Sequence, residues 1–171
     1  MKKVVLTFGL LSGAVAAAMM FMTLPFAERI GFDRSIFVGY TIIVISMMFV
    51  YFGVRSFRDN VQGGRITFGD GFKAGLLITL ISSLCYVVGW LVLFYGFMPD
   101  FVDQYSAWAV ESARASGANE AAIAAKIKEV EDARRILENP VTNAAVSFLE
   151  PLPVGLLVTL ISAAVLRRTS P

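Results

Sequence analysis

The chain has 171 residues, of which 57% are hydrophobic and 16% are charged, whereas about 25% of residues are charged in a typical soluble domain. Its net charge of +2 gives no concentrated basic face for a nucleic acid. With no histidine and one cysteine, the chain cannot form an intramolecular disulfide, a Ser-His-Asp triad, or a histidine-based zinc or haem site. No catalytic motif stands out, so we predict a non-enzyme without metal or cofactor.

Four long apolar stretches predict membrane-spanning helices, since about 20 apolar residues cross roughly 30 Å of hydrocarbon as a helix. Inside lipid a helix also pairs its own backbone groups. The predicted spans are 4–24, 35–54, 74–99 and 141–166. We therefore predict an all-α integral membrane four-helix bundle in which residues 1–171 form a single membrane domain. Its first obligatory partner is the lipid bilayer.

The first span has a second interpretation. Lys2 and Lys3, an apolar stretch and the small residues 14–18 are typical of a secretory signal with a cleavage site. Against cleavage, the apolar run continues through residues 19–24. We predict an uncleaved helix, and cleavage would leave the sidedness of the other spans unchanged.

The basic residues predict the orientation, because lysine and arginine near span ends favour the cytoplasmic side. On the side of the membrane opposite the cytoplasm, the charges of Arg29 and Arg34 are offset by those of Glu28 and Asp33, and residues 100–139 hold eight acids and five bases. We expect an integral membrane protein with both termini in the cytoplasm. The eight bases that lie close to the membrane on the predicted cytoplasmic side are Lys2, Lys3, Arg55, Arg58, Arg65, Lys73, Arg167 and Arg168.

The segment between spans two and three, residues 55–73, mixes bases with aromatic residues. Gly63-Gly64 indicates a turn, and Thr67 or Asp70 is suited to cap the next helix. One interpretation is an interfacial elbow whose bases bind lipid phosphates. The other is a docking surface or phosphate site. The bases concerned are Arg55, Arg58, Arg65 and Lys73.

Residues 100–139, between spans three and four, predict an extracytoplasmic amphipathic helical hairpin. Phe101, Tyr105 and Trp108 share one helix face, Ser116-Gly117 interrupts the pattern, and Asn119 is a good N-cap for a second helix. The second helix has an apolar face of its own, formed by Ile123, Ile127, Val130 and Leu137. These faces either pack together or lie on the bilayer, or one of them binds a partner protein.

Small residues recur at intervals of four in three spans, a spacing that lets helices approach closely in lipid. We expect the first, third and fourth spans to meet along these ridges. The alternative is that one ridge forms a homodimer contact. The ridges contain Gly9 and Gly13, then Gly71, Gly75, Thr79 and Ser83, then Gly155.

Glu150, beside Pro151 and Pro153, is the one ionisable side chain within a predicted span, and such residues are often functional. One interpretation is a proton or cation site at a broken helix. A second is a structural glutamate that is hydrogen-bonded to a residue such as Tyr86, Tyr95 or Trp90. In a third the span begins after Pro153 and leaves Glu150 in water.

Several segments together resemble a bacterial membrane family, the domain-of-unknown-function 4199 family. They are residues 1–10, 51–60, 66–75, 148–156 and 160–166. The most specific elements are Arg58-Asp59-Asn60 and Phe68-Gly69. The resemblance implies four spans and a bacterial membrane, and it implies no established activity or catalytic residue.

From these features we expect an interaction protein: a scaffold or accessory subunit of a membrane assembly. Its partner is a second copy or another membrane protein. The alternative is a small carrier or proton-coupled permeation protein that uses Glu150.

Overall fold

The computed structural model describes residues 1–26, Arg29 and residues 31–168. Glu28, one of the charges weighed in predicting the orientation, lies outside the described residues. The helices are α1 (Lys2–Thr23), α2 (Phe32–Asn60), α3 (Phe68–Phe97), α4 (Phe101–Ala115), α5 (Glu120–Glu138), α6 (Pro140–Leu149) and α7 (Leu152–Leu166), with a 3₁₀ turn at Leu24–Phe26.

Four helical segments are long and apolar enough to cross a membrane: Lys2–Phe26, Phe32–Asn60, Phe68–Phe97 and Pro140–Leu166. The last is α6 and α7 together, and we call it the fourth crossing. At 1.5 Å per residue each segment reaches about 38 Å or more, which exceeds the roughly 30 Å of hydrocarbon. The predicted all-α membrane bundle is confirmed. Its second and third helices extend past the uncharged runs, because charged residues can continue a helix into the headgroup layer.

The bundle is built around α2 and α3, which contact each other along the middle of the molecule. α1 packs against both helices on one side, and α7 packs against both on the other. Side chains fill the space where the helices meet, and Ile43, Met47 and Ile78 are fully buried there.

The two ends of the bundle differ, and we name them by what they carry. At the termini end, Ile66 and Arg168 form an antiparallel backbone bridge with N–O distances of 3.2 and 3.0 Å. Gly63 and Gly64 form the turn before it with φ values of +64° and +86°, a conformation that glycine adopts easily. The Thr67 hydroxyl oxygen then accepts a hydrogen bond from the Asp70 backbone N–H at 3.1 Å and caps α3.

At the hairpin end, α4 and α5 pack against each other as a helical hairpin. The aromatic face of α4 contacts Phe32, at the start of α2, with ring centroids of Phe101, Tyr105 and Trp108 at 6.0, 5.8 and 5.4 Å. Aromatic pairs at such distances contribute beyond their buried area. The hairpin is therefore anchored on the bundle through this face.

Exposed ion pairs also form within the hairpin. Arg134 pairs with Asp103 across the two helices, and Lys126 donates to Glu129 within α5 at 2.7 Å. The Glu129 carboxylate raises the pKa of Lys126 through this hydrogen bond. Exposed pairs of this kind contribute little to stability, so the aromatic contact is the stronger attachment.

Candidate functional site

The fourth crossing is broken between Glu150 and Leu152. Pro151 has no N–H and its ring opposes a continuous helix, so α6 ends where Glu150 N–H donates to Val146 at 3.1 Å. α7 begins at Leu152, with Pro153 in its first turn, where a missing N–H is tolerated. Helix therefore exists on both sides of Glu150. At 1.5 Å per residue Glu150 lies about 15 Å along a fourth crossing about 40 Å long, roughly a third of the way in from the hairpin end.

Glu150 contacts one of the three partners that the sequence suggested. The Tyr86 hydroxyl donates to its Oε2 atom at 3.0 Å, and the Tyr86 side chain is buried in the bundle. Glu150 itself is exposed on the outside of the bundle. Among the described residues no hydrogen-bond partner contacts its other carboxylate oxygen.

The other two suggested partners bind a residue that the sequence reasoning missed. Asn143 is fully buried, and its side-chain oxygen accepts hydrogen bonds from Trp90 Nε1 at 2.8 Å and Ser147 Oγ at 3.2 Å. Its side-chain nitrogen donates to the carbonyl oxygen of Leu137 at 2.9 Å. Tyr95 donates to that same carbonyl at 2.9 Å.

These hydrogen bonds follow α6 from the hairpin end to the break at Glu150, and we call the set the polar ladder. Its side chains are those of Glu150, Tyr86, Ser147, Asn143, Trp90 and Tyr95. A signal was available in the spacing, because residues 143, 147 and 150 share a helix face, as do residues 86 and 90. The predicted residues Glu150 and Tyr86 form its inner end.

The two halves of the fourth crossing have different neighbours. α7 packs against α2 and α3, whereas the main helix neighbours of α6 are α3 and α5. The fourth crossing therefore moves away from α2 at about the position of Glu150. On the part of α2 facing the hairpin end, Phe37 and Tyr40 are exposed.

The predicted small residues lie at contacts within the chain. A Cβ atom at Gly155 would overlap the Thr79 side chain, and one at Gly75 would lie 2.8 Å from the methyl of Thr159. The Thr79 hydroxyl is 3.2 Å from that of Thr159. α3 and α7 thus meet as closely as their backbones allow, and Gly71 contacts Ala163 in the same interface.

α1 uses its glycines against the opposite side of α3. A Cβ atom at Gly9 would lie 2.7 Å from the side chain of Ile81, and one at Gly13 would overlap Cys85. Ser83, the last member of the predicted ridge on α3, is buried, and its hydroxyl has no partner among the described residues. These small residues therefore lie at contacts between helices of one chain. A contact between two copies of the chain, the alternative interpretation, would have used the same positions.

A buried serine that was not predicted links three helices. Ser12 of α1 donates to the backbone oxygen of Ser46 in α2 at 2.6 Å and lies 2.6 Å from the Ser82 hydroxyl of α3. The sequence alone does not single out Ser12, because serine is common in membrane helices as a small packing residue.

Comparison with known proteins gives one match. The family model described as a protein of unknown function (DUF4199) matches residues 7–168. The chain belongs to the DUF4199 family. No curated protein and no solved structure matches it. The matched region includes most of the first crossing of this DUF4199 protein, its other three crossings, its hairpin and the whole polar ladder.

The basic residues of the DUF4199 chain at the termini end are not equivalent. Arg58 donates to Asp59 at 2.6 Å and its side chain is only 11% exposed, whereas Arg55 is 57% exposed and 3.7 Å from Asp59. Arg65 and Lys73 are exposed. Of the four predicted docking residues, Arg58 is therefore occupied by a neighbour. Within the described residues, no cluster of three or more His, Cys, Asp or Glu could hold a metal ion.

Proposed function

We propose that this DUF4199 protein is a non-enzymatic interaction subunit of a membrane assembly, and that its partner covers Glu150. The observation that carries the proposal is the exposed carboxylate on the outside of the bundle within the fourth crossing. A charged side chain costs about 2.5 kcal/mol or more at the bilayer centre and less towards the interface. A partner helix that donates to the open oxygen would offset part of that cost.

The packed interior of the bundle supports an interaction role over transport along the bundle axis. Ile43 and Ile78 are fully buried where the helices meet, and the buried Ser12 hydroxyl is hydrogen-bonded to the Ser46 backbone oxygen and the Ser82 hydroxyl. A substrate path along this axis would require these side chains to separate. The open carboxylate oxygen of Glu150 lies on the outer surface, where a second protein can reach it.

We further propose that the protein lies in a bacterial inner membrane with its termini end in the cytoplasm. The exposed bases Arg55, Arg65 and Lys73 at that end support this orientation. Ser116→Cys, in the hairpin turn, should react with a membrane-impermeant maleimide in intact cells after outer-membrane permeabilisation, in a Cys85→Ser background. Gln62→Cys should react only after lysis, and the opposite pattern would refute the orientation.

The interaction proposal is tested by placing a photocrosslinking amino acid at Leu149, which is 60% exposed beside Glu150. The matched control position is Leu10 on α1, which is 54% exposed on another face. In native membranes we expect a protein adduct at position 149 and none at position 10. Glu150→Gln should reduce the adduct about tenfold, which corresponds to roughly 1.4 kcal/mol of binding. Adducts with lipid alone at both positions would refute the proposal.

A second candidate, a proton-coupled carrier, is favoured by the position of Glu150 at a helix break. It predicts that protein reconstituted in liposomes carries a proton flux under an imposed membrane potential and that Glu150→Gln abolishes the flux. That result would replace the interaction proposal. Identical traces for empty liposomes, wild type and variant would exclude a Glu150-dependent proton leak.

A further inference from the structure

We infer that the partner of the Glu150 face is a transmembrane helix of another protein that carries a lysine or arginine at the depth of Glu150. The inference rests on the proposed function and specifies the chemistry of the partner. Glu150 presents one carboxylate oxygen that is bound to Tyr86 and one without a partner among the described residues. A carboxylate in hydrocarbon is best stabilised by an opposite charge with good hydrogen-bond geometry.

The chain does not supply that opposite charge itself. Seven ion pairs form among the described residues, and Glu150 is in none of them. The apolar runs 4–24, 35–54, 74–99 and 141–166 contain no lysine or arginine. The carboxylate therefore lies about 15 Å from the hairpin end of its helix, at a depth where the protein has no base of its own.

A second copy cannot supply the charge either. A twofold dimer through this face would bring the same surface of each chain together. Two Glu150 carboxylates would then approach one another, and like charges disfavour each other's ionised form. Charge complementarity therefore favours a different chain over a homodimer.

The surface around Glu150 has the form of a helix-docking stripe. Residues 146, 150, 153, 157 and 161 follow a spacing of four, three, four and four, so they share one face of a helix. The break barely disturbs this register, because both Glu150 and Pro151 keep helical backbone angles. All five residues are exposed: Val146, Glu150, Pro153, Leu157 and Ile161. Alternating three and four spacing is the pattern by which helices pack side by side.

The test uses the full chain in phosphatidylcholine vesicles with synthetic leucine-alanine peptides of about 24 residues, long enough to span the bilayer. The peptides differ only at the central residue, which is lysine, arginine, glutamine or leucine. Energy transfer is measured between the peptide and a fluorophore on Ser116→Cys, in a Cys85→Ser background. We expect the lysine and arginine peptides to bind about tenfold more tightly than the leucine peptide.

Two variants make the expectation specific. Glu150→Gln is nearly isosteric and can still accept from Tyr86, so the bundle should fold while the preference for lysine and arginine disappears. Glu120→Gln removes an exposed carboxylate in the first turn of α5 and should leave the preference unchanged. Equal binding of all peptides, or a preference that persists in Glu150→Gln, would overturn the inference.

The remaining outcomes separate the inference from the proposed function. If the glutamine peptide binds as tightly as the lysine peptide, the face accepts a hydrogen-bond donor and not a cation. If two labelled copies of the chain associate through Glu150 while no peptide is preferred, the occupant is a second copy. Both results overturn the inference while the crosslink at position 149 still stands. Loss of that crosslink, by contrast, removes the proposed function itself.

Discussion

The two halves of the fourth crossing are held in the bundle by different forces. α7 packs between α2 and α3 with Gly155 against Thr79 and Thr159 against Gly75. α6 is held mainly on α3, where the buried amide of Asn143 and the hydroxyl of Tyr86 make its hydrogen bonds. Lipid is as apolar as leucine, so close packing and polar bonds are the means of joining helices within it.

Both halves expose side chains to the lipid, but these side chains differ in polarity. The exposed face of α7 is apolar and includes Leu157 and Ile161, while its small residue Gly155 faces α2 and α3. α6 is attached through hydrogen bonds at particular atoms, and the exposed Glu150 carboxylate lies at its end, bonded to Tyr86. The charge that a partner can recognise therefore lies at the junction of the two halves.

The largest expected effect comes from placing a larger side chain in the contact between α3 and α7. Gly155→Leu forces a side chain into Thr79, and we expect a loss of about 3 kcal/mol in the free energy of unfolding. The matched control is Gly39→Leu on α2, where a Cβ atom meets nothing within 4 Å, and its stability should stay close to wild type. Unfolding in mixed micelles with increasing dodecyl sulfate measures both. Equal losses would show that the α3–α7 contact is not tight.

An intermediate effect is expected at the centre of the polar ladder. Asn143→Ala leaves the N–H of Trp90 without its side-chain partner and the carbonyl of Leu137 with one side-chain donor, Tyr95, instead of two, and we expect a loss of about 1–2 kcal/mol. The effect should be local: amide hydrogen exchange should increase in α6 and remain slow in α7. Ser147→Ala removes one bond to the same amide and should cost less. Uniform acceleration through both halves would contradict the division between them.

The smallest effect should come from a hydroxyl in the packed half. Thr79→Val keeps the branched shape while removing the bond to Thr159 and the 3.4 Å contact with the Gly155 carbonyl. Polar bonds in membrane proteins average about 0.6 kcal/mol, so we expect a loss of that size in the same unfolding titration. A loss larger than that of Asn143→Ala would mean that hydrogen bonds, not packing, hold α7.

Local features of the chain were predictable where their free energy depends on neighbours in sequence. The break at Pro151 and the ridge containing Gly71, Gly75 and Thr79 follow from residue type and spacing. Asn143 was missed, because an amide in an apolar segment is informative only when its partners are known. Trp90 lies 53 positions away from it, and no local pattern connects the two.

The sequence by itself determined that four apolar segments enter the membrane as helices, since burying their side chains and pairing their backbone groups are properties of each segment. It also indicated the helix break, which follows from proline chemistry. Only the tertiary structure decided which way each face points. It turns Gly155 towards Thr79 and leaves Glu150 outside, because the rotation of a helix about its axis depends on all of its neighbours at once.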